Sequence, residues 1–357
     1  MSVTTSPEGV RHPRVVRRGG DGAAGMLLGT IIGVGGLLLS IAAAITIGPA
    51  DLGLRDVYTV IARNLWNAPS DMTVIDEGII WQLRLPRALL AAVCGAGLAI
   101  CGVVLQSLMR NPLADPFILG ISSGASTGAV LVIVTGLGGT LSLSSGAFVG
   151  ALAAFLFVLT LAVLAGGGTD RLVLAGIAGT QLFSAITAFI VFSSADAQQT
   201  RGVLFWLLGS LGGAGWDQVA VCGAICALAL LICLTQSDAL DAFAFGNDAA
   251  AALGIPVTRV RILLMVVTAL LTAVLVSAAG AIGFVGLVLP HAARIIAGPL
   301  HRRLLLVSGL VGAIFLVWVD AAARTVFAPQ ELPVGVVTAL VGVPAFALIL
   351  ARRRRIR

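Results

Sequence analysis

The feature that most restricts the fold of this chain is a succession of apolar segments, most of them about as long as a lipid bilayer is thick. They occupy residues 26–47, 86–108, 117–136, 145–166, 171–193, 217–235, 262–298, 304–322 and 333–351. About 20 apolar residues in a helix cross a hydrocarbon core. Only helices and closed barrels satisfy their backbone groups in lipid, and unbroken apolar runs favour helices over alternating barrel strands. The sequence therefore predicts an all-α polytopic membrane protein.

One of these segments, 262–298, is too long for a single crossing. At about 1.5 Å per residue it would reach roughly 55 Å, nearly twice the thickness of the hydrocarbon core. Gly280, Gly283 and Pro290 interrupt it. We therefore divide the segment near Ala281 into two helices.

The two ends of the chain predict its orientation. Residues 1–25 are polar and Arg-rich and predict a disordered cytoplasmic tail, and residues 352–357 predict a basic cytoplasmic tail. Two cytoplasmic ends require an even number of crossings, so ten transmembrane helices are expected within 26–351. This arrangement places 16 arginines inside and six outside, the bias that cytoplasmic loops usually show. The predicted location is the bacterial plasma (inner) membrane.

The composition excludes several classes of function. All 22 basic residues are arginine. A Walker A loop requires a lysine against the nucleotide phosphates, so we expect no ATPase site and no enzyme activity on this chain. The arginines lie in short loops and tails, a pattern of membrane topology and not of nucleic-acid binding. The five cysteines lie within apolar segments and the three histidines are dispersed, so neither a metal site nor a cofactor is expected.

Three of the outer arginines have no use as topology signals. Arg84 and Arg87 flank Pro86 at the start of the second crossing, which begins outside. A cation at a helix N-terminus opposes the helix dipole, so another reason for these residues is needed. Arg324 follows Asp320 by one helical turn, which allows either an ion pair within the helix or an arginine left free at the outer surface.

The cytoplasmic connection Ser237–Arg261 is the longest loop on the inner side. It carries four large apolar residues, Leu240, Phe243, Phe245 and Leu253. We expect a short amphipathic helix that ends near Gly254. An apolar face on a cytoplasmic loop indicates either a docked partner protein or a lid that folds back on the same chain.

Two further motifs have an ordinary structural interpretation beside a functional one. Gly120, Gly124 and Gly128 recur at a spacing of four, which suits close packing of helices and would also suit a helix that lines a conduit. His291, in a Gly- and Pro-rich segment, is expected to be a buried residue with its hydrogen bonds satisfied.

At this point the chain resembles the FecCD family, the permease subunits of ABC importers for iron–siderophore complexes, haem and vitamin B12. The resemblance covers about residues 26–351. It is carried by the segments "RLPR", "GAGLAICGVVLQSLMRNPLADPFILGISSGA", "FWLLGSLGGAGW", "LGIPVTRVR", "GAIGFVGLVLPHAARIIAG", "WVDAAAR" and "ELPVGVVTALVGVPAFALIL". It implies the ten-helix fold of the vitamin B12 importer permease, a type II ABC importer. The implied partners are a second permease subunit (identical or a sister chain), two cytoplasmic ATPase subunits that bind ATP and Mg²⁺, and an extracytoplasmic binding protein.

The resemblance also implies roles for particular residues. Arg84, Arg87 and Arg324 match the outer arginines to which the binding protein docks through acidic side chains. The loop 238–261 matches the segment that couples the permease to the ATPase, with Asn247, Leu253 and Gly254 in its most recognisable part.

A cytoplasmic gate of the family matches Thr169 and Asp170, although an aspartate departs from the hydroxyl residue expected there. An iron–siderophore complex is the first choice of substrate, with haem and vitamin B12 as alternatives. An ion-coupled secondary transporter is disfavoured, because such carriers place ionisable groups in the middle of the membrane and no predicted crossing has an acidic residue there.

Overall fold

The computed structural model describes residues 21–48, 50, 52–69, 71–136, 142–194 and 196–354, and its regular elements there are all helical. The α-helices are α1 (Asp21–Thr46), α2 (Leu54–Trp66), α3 (Val74–Gly78), α4 (Leu85–Leu108), α5 (Ile121–Thr135), α6 (Leu143–Leu164), α7 (Thr169–Ser194), α8 (Ala197–Leu207), α9 (Trp216–Thr235), α10 (Ser237–Phe243), α11 (Asn247–Ala252), α12 (Val257–Ala279), α13 (Val285–Ala297), α14 (His301–Thr325) and α15 (Val334–Arg354). A π-helical segment, Ile79–Arg84, joins α3 to α4. The prediction of an all-α protein is confirmed for this part of the chain.

Several of these helices can cross a membrane. Seven of the helices in the described ranges are long and apolar enough to do so, and α5, α13 and α15 contribute shorter apolar stretches. The long apolar segment 262–298 is broken as predicted, because α12 ends at Ala279 and α13 begins at Val285. The protein is therefore a multi-pass membrane protein, while the number of ten crossings and the cytoplasmic location of both ends stay predictions.

The two predicted tails are only partly described. Helix α1 begins at Asp21, before the predicted boundary at residue 26, and residues 1–20 lie outside the described part of the chain. At the other end α15 continues to Arg354, and residues 355–357 also lie outside the description.

Helix α4 lies at the centre of the helical bundle. Its small residues allow two other helices to approach closely: Gly95 faces Gly312 of α14, and Gly102 faces Gly286 of α13, with no room for a Cβ at either position of α4. The five cysteines are free thiols buried in the same region. Close packing of this kind holds helices together in a membrane, where lipid is as apolar as the helix surfaces.

The glycines of α5 also pack helices together. Gly124 and Gly128 lie against Gly150 and Gly146 of α6, where a Cβ would meet a backbone carbonyl. On another side of α5, Thr127 Oγ1 donates a hydrogen bond to the Phe183 carbonyl of α7 at 2.9 Å. These contacts support the packing interpretation of the glycine repeat.

The loops gather at two opposite ends of the bundle. One end, here called the outer end after the predicted orientation, contains the C-terminus of α1, the start of α4, the loop 208–215 and residues 320–334. The other, called the inner end, contains the connection 109–120, the start of α7, the segment 237–256 and the start of α14.

Candidate functional site

The three candidate docking arginines all lie at the outer end, but they are in different environments. Arg84 is 7% exposed. Its Nη1 donates to the carbonyl of Ile45 at 2.8 Å, and its Nη2 donates to that of Ala50 at 3.2 Å. Gly48 makes room for the guanidinium, because a Cβ there would lie 2.6 Å from Nη2. Arg84 therefore covers the carbonyls left unpaired where α1 ends.

Arg324 has a similar role at the same end of α1. Its Nη2 donates to the Ala44 carbonyl at 3.1 Å, and its Nη1 donates to that of Ile47 at 3.4 Å. Its Nε lies 3.2 Å from Asp320 Oδ2, one turn earlier in α14. The ion pair within the helix is thus formed, and Arg324 is not free at the outer surface.

Arg87 is held by two carboxylates instead of backbone carbonyls. Its Nε donates to Asp320 Oδ1 at 2.9 Å, and its Nη1 donates to Glu331 Oε2 at 2.9 Å. Asp320 is 1% exposed, whereas the side chain of Glu331 is 43% exposed. The three arginines and these two acids form one group, here called the outer arginine cluster. Within this cluster, Glu331 is the one side chain with a large exposed fraction.

At the inner end, the predicted coupling segment is folded on the bundle. It contains two short helices, α10 and α11, where the sequence predicted one. Leu240 and Phe243 are buried in the core, whereas Phe245 is 83% exposed and Leu253 is 73% exposed. Gly254 follows with a φ of +81°, the left-handed conformation that suits the end of a helix. One set of apolar residues therefore fixes the segment to the bundle, and another set is exposed on its surface.

A polar contact that sequence reasoning missed anchors this segment. Asp241 Oδ1 accepts hydrogen bonds from the backbone N of His301 at 2.9 Å and from its Nδ1 at 2.6 Å. On α4, Ser107 Oγ donates to the Leu240 carbonyl at 3.2 Å. Helix α10 is thereby joined to both α4 and α14. No sequence motif indicates this pairing, since Asp241 and His301 are 60 residues apart.

The candidate gate residues lie beside the coupling segment. Asn247, at the start of α11, accepts a hydrogen bond from Arg261 Nη2 at 2.7 Å. Arg261 and Thr169 line the same cavity of about 140 Å³. Asp170 is exposed in the first turn of α7, where a carboxylate interacts favourably with the helix dipole. Thr169 thus shares a cavity with the arginine that binds Asn247, whereas Asp170 lies at the surface.

The connection between α4 and α5 completes the inner end. His291 is buried, and its Nε2 lies 3.0 Å from the Pro112 carbonyl, so the expectation of a satisfied buried histidine is confirmed. Asp115 accepts a hydrogen bond from the Phe117 backbone N at 2.9 Å. Burial raises the pKa of the Asp115 carboxyl to about 6, although this hydrogen bond opposes the rise.

Several curated proteins resemble the chain over most of its length. It is 38% identical over 328 residues to the hemin transport system permease protein HmuU of Yersinia pestis, covering 90% of this chain and 96% of that one. It is 42% identical over 280 residues to the cobalamin import system permease protein BtuC of Halobacterium salinarum, covering 78% and 74% of the two chains. The vitamin B12 import system permease protein BtuC of Citrobacter koseri is 39% identical over 305 residues, which are 85% of this chain and 92% of that one.

Comparison with solved structures and with family profiles agrees with these relatives. An inward-facing structure of a metal-chelate type ABC transporter matches with a TM-score of 0.79 and 30% identity, over 92% of this chain and 99% of that one. The profile of the FecCD transport family matches residues 36–352. On this match and these relatives, the chain belongs to the FecCD family of ABC importer permeases.

Proposed function

We propose that this permease carries a metal chelate, with an iron–siderophore complex as the first candidate and haem or vitamin B12 as the alternatives. The observation that carries the proposal is what the relatives are named for: hemin in one case and cobalamin in others. Both ligands are large metal chelates. The names of these relatives support haem and vitamin B12, whereas the iron–siderophore complex is proposed from the resemblance to the family.

The substrate is best tested on the binding protein of this importer and then on the whole complex. Purified binding protein would be titrated with a ferric hydroxamate, a ferric catecholate, haem and cyanocobalamin, and tryptophan fluorescence would report binding. The chelate that binds should then be taken up by vesicles containing the assembled importer, in an ATP-dependent way. Uptake of none of the four would overturn the proposal of a metal chelate.

For the mechanism, we propose that ATPase subunits hold the inner end and the binding protein docks at the outer end. The exposed apolar pair Phe245 and Leu253 supports the first contact, because large apolar side chains on a cytoplasmic loop are stabilised by a partner. Asn247 and Gly254 lie on the same segment. Movement of this segment would be passed to α4 and α14 through Ser107, Asp241 and His301.

Docking at the outer end would rely mainly on Arg87. Arg84 and Arg324 both donate hydrogen bonds to the carbonyls at the end of α1, so replacing either arginine should destabilise the permease itself. Arg87 faces the surface through Glu331 and can exchange one carboxylate for another. A guanidinium suits such a contact because it stays charged and binds carboxylates through two N–H groups.

The proposed orientation has a direct test, because the native cysteines are buried. Arg201, in the helix α8 that leads into the outer loop 208–215, and Asp248, in the inner segment 237–256, are both exposed. Arg201→Cys and Asp248→Cys therefore each introduce one accessible thiol. In intact cells, a membrane-impermeant maleimide should label the first variant only. Labelling of Asp248→Cys in its place would reverse the orientation.

A further inference from the structure

The contact between Arg87 and Glu331 differs from every other contact in the outer arginine cluster. Both oxygens of Glu331 lie within hydrogen-bond distance of Arg87 Nη1, at 2.9 and 3.2 Å. Glu331 is 43% exposed, whereas Arg87 is 11% exposed. A carboxylate from solvent would thus meet Glu331 first, and Glu331 already occupies the accessible side of the guanidinium.

The position of Glu331 is fixed by its backbone and not by the ion pair. The next residue, Leu332, donates its N–H to the Ala323 carbonyl at 2.9 Å, and Val334 donates to that of Gly209 at 2.9 Å. The main chain therefore keeps Glu331 within reach of Arg87 even though an exposed ion pair alone is weak.

The surface around this ion pair is open. A Cβ at Gly212 would lie 3.9 Å from Glu331 Oε2 and 4.0 Å from Arg87 Nη1, and both Gly212 and Gly213 are exposed. This part of the loop therefore borders the pair without a side chain that could cover it. A partner protein could bring an acidic side chain to Arg87 without moving the helices.

We propose that Glu331 occupies the place of a partner carboxylate on Arg87 and so sets how tightly the acidic binding protein docks. This inference rests on the proposed docking at Arg87. On docking, the partner carboxylate replaces Glu331 on Nη1 while Asp320 stays on Nε. One ion pair is exchanged for another, so the free energy of docking gains only the difference between the free energies of the two pairs.

The charges of the cluster support this assignment. Arg84, Arg87 and Arg324 carry three positive charges, and Asp320 and Glu331 carry two negative ones. Neutralising Glu331 would raise the net charge of the cluster and remove the competitor from Arg87. Both changes favour an acidic partner, and the effect should shrink at high salt, where exposed charges are screened.

The test uses the complete importer in lipid nanodiscs, with its purified binding protein as the probe. We expect Glu331→Gln to lower the dissociation constant about fivefold at low salt, which corresponds to about 1 kcal/mol. The matched control is Glu77→Gln, which removes another carboxylate of the outer end, one bound to Arg63 at 2.9 Å. This control should leave the affinity for the binding protein unchanged. A gain of affinity in both variants would point to net charge alone and overturn the assignment.

A second variant separates this inference from the docking proposal itself. Arg87→Gln should weaken docking, and it should still fold because Arg324 remains 3.2 Å from Asp320. In the double variant Arg87→Gln, Glu331→Gln, the gain from removing Glu331 should disappear. If Arg87→Gln leaves the affinity unchanged, the docking proposal fails. If Arg87→Gln weakens docking but Glu331→Gln does not strengthen it, docking stands and the role of Glu331 is refuted.

Discussion

The outer and inner ends of this permease present opposite kinds of surface to their proposed partners. At the outer end the candidate residues are charged and mostly buried, with Arg84 and Arg324 bound to the end of α1. At the inner end the candidates Asn247, Leu253 and Gly254 are exposed, on a segment that buried side chains fix in place. A substitution of a buried residue at the outer end should therefore destabilise the permease itself, whereas one at the inner end can affect the partner alone.

The largest effect is expected from removing the shared acid of the outer cluster. Asp320→Ala would leave Arg87 and Arg324 without their buried counter-ion, which typically costs about 3–5 kcal/mol. Thermal unfolding of the purified permease should show a large loss of stability. Glu77→Ala, in the partly exposed pair with Arg63, should cost at most about 1 kcal/mol. Equal losses in the two variants would remove the distinction between buried and exposed pairs.

A smaller loss of stability separates Arg84 from Arg87. Arg84→Met keeps an unbranched side chain of about the length of the arginine stem but leaves α1 carbonyls without donors, at an expected cost of about 2 kcal/mol. Docking of the binding protein to the folded fraction should stay unchanged. If Arg84→Met weakened docking with no loss of thermal stability, Arg84 would be a docking residue and not a helix cap.

At the inner end a substitution should weaken partner binding more than it lowers the stability of the permease. Leu253→Asp changes an exposed side chain, so stability should alter by less than about 0.5 kcal/mol. Association with the ATPase subunits should weaken at least tenfold, about 1.4 kcal/mol or more, as measured by co-purification and by ATPase titration. The neighbouring exposed variant Asp248→Ala is the control. Normal association of Leu253→Asp would place the ATPase contact elsewhere.

A separate effect concerns the pH dependence of stability at the inner end. The folded state raises the pKa of Asp115 to about 6, above the usual value near 4. The protonated acid is therefore preferred in the folded state, and stability from this group is lost as pH rises from about 4 to 6. Asp115→Asn keeps the acceptor oxygen and should remove this loss, which is about 3 kcal/mol for a pKa rise from about 4 to about 6. The melting temperature of both proteins would be measured between pH 4 and 7.5. The same pH dependence in both would contradict this prediction.

Two features of the fold, one at each end of the bundle, could be predicted because their signals are local. Nearby glycines and a proline predict the break after Ala279 at the outer end. The apolar residues of 237–256 predict an inner segment that packs through one face. Which apolar residues pack and which are exposed could not be predicted. Leu240 is buried and Leu253 is exposed because of where α4 and α14 lie, and the anchor from Asp241 to His301 has no local signal.

The sequence alone determined that this chain is an all-α membrane protein of the FecCD family, because the length of an apolar run and a series of motifs are properties of consecutive residues. It also indicated that Arg84, Arg87 and Arg324 need a reason to be at the outer end. Only the tertiary structure distinguished them. Arg87 meets Asp320 across 233 residues and Glu331 across 244, and such distant pairing depends on how the helices pack.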